Sequence, residues 1–206
     1  MAQDLDKLLP EVMTFAPRCP EPLALRHLRQ AAIEFCQRTR AWRADDEFTV
    51  STPDCEGVCT LQDAVLFEIK SARLGETDLT PVTEAWLDSE YPGWKERDES
   101  TPRYVTQLSA NTVTLYPRGS GLLKLRLVLQ PSRQADTLPD FLVDQHGELL
   151  GKGAAGRVLT TGNVEWANPN LGAALLNEFQ ARLDTEAYRA AKGQQGARLR
   201  TRPNYF

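Results

Sequence analysis

The sequence predicts an α+β fold: a helical bundle from the N- and C-terminal segments, an inserted antiparallel β-rich region, and an extended C-terminal arm. Three observations predict it. Near both ends of the 206-residue chain, apolar residues recur at three- and four-residue steps. Between them, residues 47–131 alternate polar and apolar in the manner of short strands. After Glu186 the chain carries no acidic residue, only Arg189, Lys192, Arg198, Arg200 and Arg202, so this end holds +5. The expected organisation is one domain, with 1–45 and 138–192 as the bundle, 46–137 as the β-rich insertion and 193–206 as the arm.

Residues 4–16 read as a short helix turned near Pro10. The proline-rich connector APRCPEP follows, and Pro22 suits the first turn of a second helix that runs to about Trp42. Leu25, Leu28, Ala32, Phe35, Cys36 and Thr39 give that helix one apolar face. Residues 47–52 and 65–74 read as strands, GETD as a turn and LTPVT as a returning strand. The segment 84–99 reads as a helical turn or two leading into an acidic loop. RYVTQLS, TVTLY and LLKLRLVL then alternate as an antiparallel meander or small sandwich. Helical periodicity returns at Leu138-Pro139. Gly147, Gly151, Gly153 and Gly156 each weaken an isolated helix by roughly 1 kcal/mol against alanine, so packing has to stabilise it. Asn168 caps and Pro169 opens the last helix, whose apolar stripe is Leu171, Leu175, Phe179, Leu183 and Ala187.

At 41% hydrophobic and 25% charged residues, the composition is that of an ordinary soluble globular protein. The whole chain carries −4, so with +5 at the end, residues 1–186 carry −9. A body of that sign argues against broad nucleic-acid binding and suits a surface that must not stick to DNA. A basic arm on an acidic body calls for a partner. The opening MAQDLDKLLPEVM is acidic and has no long apolar run, so it is not read as a signal peptide, and no window approaches a membrane span. Synthesis in a cytosolic compartment is expected, where the protein stays until it joins something larger.

Candidate chemistry is sparse. His27 and His146 stand alone, and Ser120 lacks a nucleophile-elbow context. GKGAAG at 151–156 lacks the phosphate-loop pattern and does not follow a strand, so close helix packing is the better account. Glu84, Asp88, Glu90, Glu96, Asp98 and Glu99 lack calcium-loop spacing and read as a solvated, charged loop. Cys19, Cys36, Cys55 and Cys59 could make a zinc site with His27, but free thiols in a reducing compartment are favoured. No enzyme activity, cofactor or metal is expected. In the arm, Arg198, Arg200 and Arg202 would share one face of an extended strand, with Leu199 and Thr201 on the other. Pro203, Asn204, Tyr205 and Phe206 end the chain on two aromatics suited to docking in a groove.

The order Leu138-Pro139, Gly153-Ala154, Trp166 with Pro169, Phe179, then an arginine- and aromatic-rich tail resembles the C-terminal half of tailed-bacteriophage head-to-tail adaptor (connector, or head-completion) proteins. The opening, a helix ending on Trp42 before a β region, looks like that family's first segment. The resemblance covers most of the chain. The acidic segment 84–99 departs from it. It implies a structural virion protein at the head–tail junction: a homo-oligomeric ring, usually of twelve subunits, under the phage portal protein. A downstream tail or nozzle protein would follow, with genome DNA passing through without sequence-specific binding and no membrane partner. It implies that the bundle builds the ring wall, with Leu142, Leu149, Gly153, Ala154, Arg157, Leu175 and Phe179 at the subunit interface. It also implies that the arm binds the portal through Arg198, Leu199, Arg200, Arg202, Pro203, Tyr205 and Phe206. The rival reading is a small metal- or nucleic-acid-binding regulator using CEGVC and the basic tail.

Overall fold

The computed structural model describes residues 2–51, 56–58, 60–96, 101–162 and 164–192. Its elements in chain order are β1 (Ala2–Asp4), a 3-10 turn (Leu5–Leu8), α1 (Leu9–Met13), α2 (Glu21–Thr39), β2 (Arg43–Val50), β3 (Glu56–Gly57), β4 (Ala64–Leu74) and β5 (Thr77–Pro81). There follow α3 (Glu84–Glu90), a 3-10 turn (Trp94–Glu96), β6 (Tyr104–Thr106), β7 (Thr112–Tyr116), β8 (Gly121–Pro131), β9 (Thr137–Pro139), α4 (Asp140–Leu159) and α5 (Pro169–Ala191). Two compact units result: Met1–Ala41 with Arg133–Phe206, and Trp42–Ser132.

The first unit is helical. Pro10 sits in the first turn of α1, where its missing N–H costs nothing. Ala24, Leu28, Ala31, Ala32, Phe35, Cys36 and Thr39 are the buried face of α2, which ends on Arg40 in the left-handed region at φ 52°. The Asn168 side chain accepts the Leu171 N–H and so starts α5. β1 pairs antiparallel with β9, a two-stranded sheet that the polar sequence AQD gave no alternation to announce. The Leu5 N–H donates to the Asp136 carbonyl at 2.9 Å and extends that tie. Leu142, Leu149, Leu150, Ala154, Ala155, Val158, Phe179 and Leu183 complete the core.

The second unit is a nearly closed, seven-stranded mixed sheet in the order β2-β8-β4-β5-β6-β7-β3. This corrects the expected fold, a helical bundle carrying an antiparallel insertion. The β region is a compact unit with its own core, including Val50, Leu66, Ile69, Leu79, Val105, Leu115, Leu123, Leu125, Leu127 and Leu129. Nor is it an antiparallel meander, because β5 and β6 pair in parallel. A parallel pair cannot be joined by a tight turn and needs a long crossover. The connection from β5 to β6 makes that crossover; it includes the segment 84–99, expected as a helical turn or two leading into an acidic loop, and carries α3. The Thr83 hydroxyl caps α3 by accepting the Trp86 N–H at 3.2 Å. Alternation marks the strands but not their order, so β8 could not be placed between β2 and β4.

Candidate assembly site

Along α4 the glycines lie against neighbouring elements. A Cβ at Gly153 would sit 2.8 Å from two ring carbons of Phe179, and one at Gly156 would sit 2.7 Å from Leu176 Cγ and 3.1 Å from the Gly172 carbonyl. The reciprocal Cβ at Gly172 would meet the Gly156 carbonyl at 2.9 Å. One at Gly147 would meet the end of Leu8, and one at Gly151 would overlap Glu11 Cβ. GKGAAG is therefore mid-helix packing surface, with no loop in which a phosphate could be cradled.

A polar knot ties the three long helices where this seam passes. Arg157 on α4 donates to its own Gly153 carbonyl at 2.8 Å and pairs with Glu34 on α2. Gln180 on α5 donates to the other Glu34 oxygen at 2.6 Å. The Arg157 guanidinium also lies 5.5 Å from the Phe179 ring centroid. Lys152 bridges Glu148 and Glu178, both at 2.8 Å, and these carboxylates hold its ammonium pKa above the usual lysine value.

The residues expected at a subunit interface take part in this packing. Leu142, Leu149, Gly153, Ala154, Leu175 and Phe179 are buried within the single chain. Arg157 is spent on the knot. Helical periodicity reports a face that is covered but not by what, and here the chain's own α2, α4 and α5 cover it. The exposed side of α5 carries Leu171, Ala174, Asn177, Ala181 and Tyr188 instead.

On the sheet unit, charge is arranged in rows across strands. Asp45 on β2 faces Arg126 on β8 at 3.2 Å, and Glu47 faces Lys124 at 3.1 Å. Arg73 on β4 bonds Glu76 at 2.9 Å and approaches Asp78 at 3.6 Å. All of these but Glu76 line an open groove of about 390 Å³. The two-residue spacing of Asp45 and Glu47, matched by Lys124 and Arg126, is a signal that sequence reasoning passed over.

The acidic segment is partly aromatic packing. Trp94 and Tyr116 are buried beside Leu87, with Tyr91 and Tyr104 against them. The Trp94 indole N–H donates to Asp88 at 2.8 Å, and Lys95 pairs with Glu84 at 2.6 Å. Trp86 packs on Tyr104 at 5.1 Å between ring centroids, yet stays 37% exposed. Asp98 and Glu99 lie outside the described residues.

The other candidates do not converge. His27 contacts Gln30 at 3.0 Å, and burial pushes its pKa down. His146 packs on Phe35 at 4.5 Å, and burial lowers its pKa too. Cys19 and Cys36 are buried free thiols, both pushed up by burial. Cys55 and Cys59 lie outside the described residues. Among the described residues no group of three or more His, Cys, Asp or Glu is placed to hold a metal, and no helix is long and apolar enough to cross a membrane. The portal-binding candidates Arg198, Leu199, Arg200, Arg202, Pro203, Tyr205 and Phe206 also lie outside the described residues.

A family model described as SU10 adaptor protein matches residues 3–204. No curated protein matches the chain.

Proposed function

The chain belongs to the SU10 adaptor protein family, a phage head-to-tail adaptor family, and on that premise we propose that it forms the ring joining the capsid portal to the tail and lining the DNA passage. The observation that carries the reading is the family match across nearly the whole chain, which takes in both compact units and most of the arm. Physical chemistry supports it. A body at −9 repels the phosphate backbone and lets DNA slide, while an arm at +5 is attracted to an acidic groove. A head-to-tail contact repeated around an axis closes into a ring, and twelve copies would match a portal of that symmetry. The role is scaffolding and needs no catalytic group.

The neighbour-facing surface is drawn from exposed side chains, because the α4–α5 seam is consumed within the chain. The arm makes the portal contact through its aromatic end, Tyr205-Phe206. Deleting 198–206 tests this: the truncated protein keeps its circular dichroism spectrum and no longer joins purified portal. Unchanged attachment would sink the portal assignment.

A further inference from the structure

β2 is an open sheet edge. It pairs with β8 along all eight residues and with no other strand among those described. Trp42 O accepts from Leu129 N at 2.8 Å, which fixes the hydrogen-bond phase. In an antiparallel pair, residues alternate between bonding the partner strand and turning their N–H and C=O away. Ala44, Asp46, Phe48 and Val50 therefore bond β8, while Asp45, Glu47 and Thr49 turn their backbone groups outward. The side chains of those three residues are exposed as well. The opposite end of the sheet, β3, spans two residues, and the Ser51 N–H donates to the Glu56 carboxylate at 3.1 Å.

Such an edge is usually protected by a bulge, a proline or a short length. β2 has none of these: its register on β8 is unbroken, whereas β4 on the other side of β8 carries two irregularities. What β2 has is charge. Asp45 and Glu47 alternate on one face with carboxylate side-chain exposures of 77% and 53%, already bridged on their inner side by Arg126 and Lys124. Two copies pairing β2 to β2 would set acid against acid, which is destabilising. A strand with cations at every second position would continue the alternation of base and acid across the sheet.

Beyond the described residues the sequence contains a segment of that pattern: Arg198-Leu199-Arg200-Thr201-Arg202. We propose that residues 198–202 of a second copy add as a strand to the β2 edge, with Arg198, Arg200 and Arg202 on the face of Asp45 and Glu47. Pro203 has no N–H to donate and ends the pairing. Tyr205 and Phe206 then project beyond the strand, so the arginines lock neighbouring subunits and the aromatic end is left for the portal. α5 ends at Ala191, and the seven residues onward to Arg198 span up to roughly 25 Å when extended, enough to reach a neighbour. Assigning the arm to a second copy, not to its own chain, rests on the ring reading.

Side-chain parity tests it. In full-length protein with Cys55→Ser and Cys59→Ser, Glu47→Cys is combined in turn with Arg198→Cys, Leu199→Cys, Arg200→Cys, Thr201→Cys or Arg202→Cys and oxidised. A disulfide-linked species between chains is expected at one of 198, 200 and 202, the residue that faces position 47, and at neither 199 nor 201, because alternate residues of a strand face opposite ways and a disulfide reaches only the facing residue. Hydrogen exchange gives a second readout: protection of the Asp45, Glu47 and Thr49 amides is lost when Arg198, Arg200 and Arg202 are all changed to Glu. Equal cross-linking at both parities, no cross-linking, or unprotected amides in the parent protein overturns the strand addition. Cross-links confined within single chains overturn the second-copy assignment. A ladder of open oligomers at the right parity keeps the strand addition and sinks the ring.

Discussion

Gly153→Ala is the sharpest test of the helical unit. The added methyl would lie 2.8 Å from Phe179 Cδ2 and Cε2 and 3.0 Å from its Cγ. Phe179 is fully buried and its ring is rigid, so the clash is relieved only by turning the ring or moving α5. Overpacking of this kind costs about 1–3 kcal/mol. Alanine in a helix interior returns about 1 kcal/mol relative to glycine. The expected net loss is therefore about 1 kcal/mol, and at most about 2. Two companions set the scale. Gly147→Ala meets only the terminal methyl of the buried Leu8 side chain and should be close to neutral. Gly151→Ala meets Glu11 Cβ, with the Glu11 backbone carbon at 3.3 Å, and should cost most. Urea unfolding followed by far-ultraviolet circular dichroism reads the loss as a lower midpoint at constant slope. Phe179→Leu removes the obstructing ring, so the double variant should lose about 1 kcal/mol less than the two single losses combined. A gain in stability from Gly153→Ala, with no coupling to Phe179→Leu, would refute the close-packed seam.

Two further outcomes follow. Burial holds the His146 pKa below 6.5 in the folded chain, with Arg182 and Arg189 lowering it and Glu186 opposing. The unfolded chain therefore takes up its proton first, and the stability contribution is full above 6.5 and lost as pH falls through that value. His146→Leu should flatten the decline in melting temperature on acidification; an unchanged pH profile would exclude His146 as its source. In the sheet unit, the Tyr116 hydroxyl is buried with no hydrogen-bond partner among the described residues. Tyr116→Phe loses no bond, removes a desolvated group and should raise stability by about 1 kcal/mol. A loss of that size in the melting curve would show that the hydroxyl is satisfied in solution.

The periodic parts of the chain were legible. α2, α4, α5, β4, β7 and β8 fall close to where three-residue and two-residue spacing put them, because burial on one face imposes those periods on sequence. Asn168 marked the start of α5 because its side chain has a local role that depends on nothing distant. What needed the structure was long-range. The parallel pairing of β5 with β6 and the place of β8 between β2 and β4 depend on strand order, which alternation does not encode. The α4–α5 stripe was read as a surface for another subunit because a covered face looks the same whichever molecule covers it. Glu34, Arg157 and Gln180 belong to three helices, and no local pattern brings them together. The charged rows of β2 and β8 were within reach: acids at 45 and 47 and bases at 124 and 126 share the spacing of facing strands.

Cross-linking mass spectrometry of intact phage particles tests the central claim most directly. If the chain is the ring between portal and tail, its lysines and carboxylates link to the portal protein, to a tail protein and to other copies of itself, in mature DNA-filled particles. Its absence from purified virions, or links confined to the capsid shell or to internal proteins, would contradict the account.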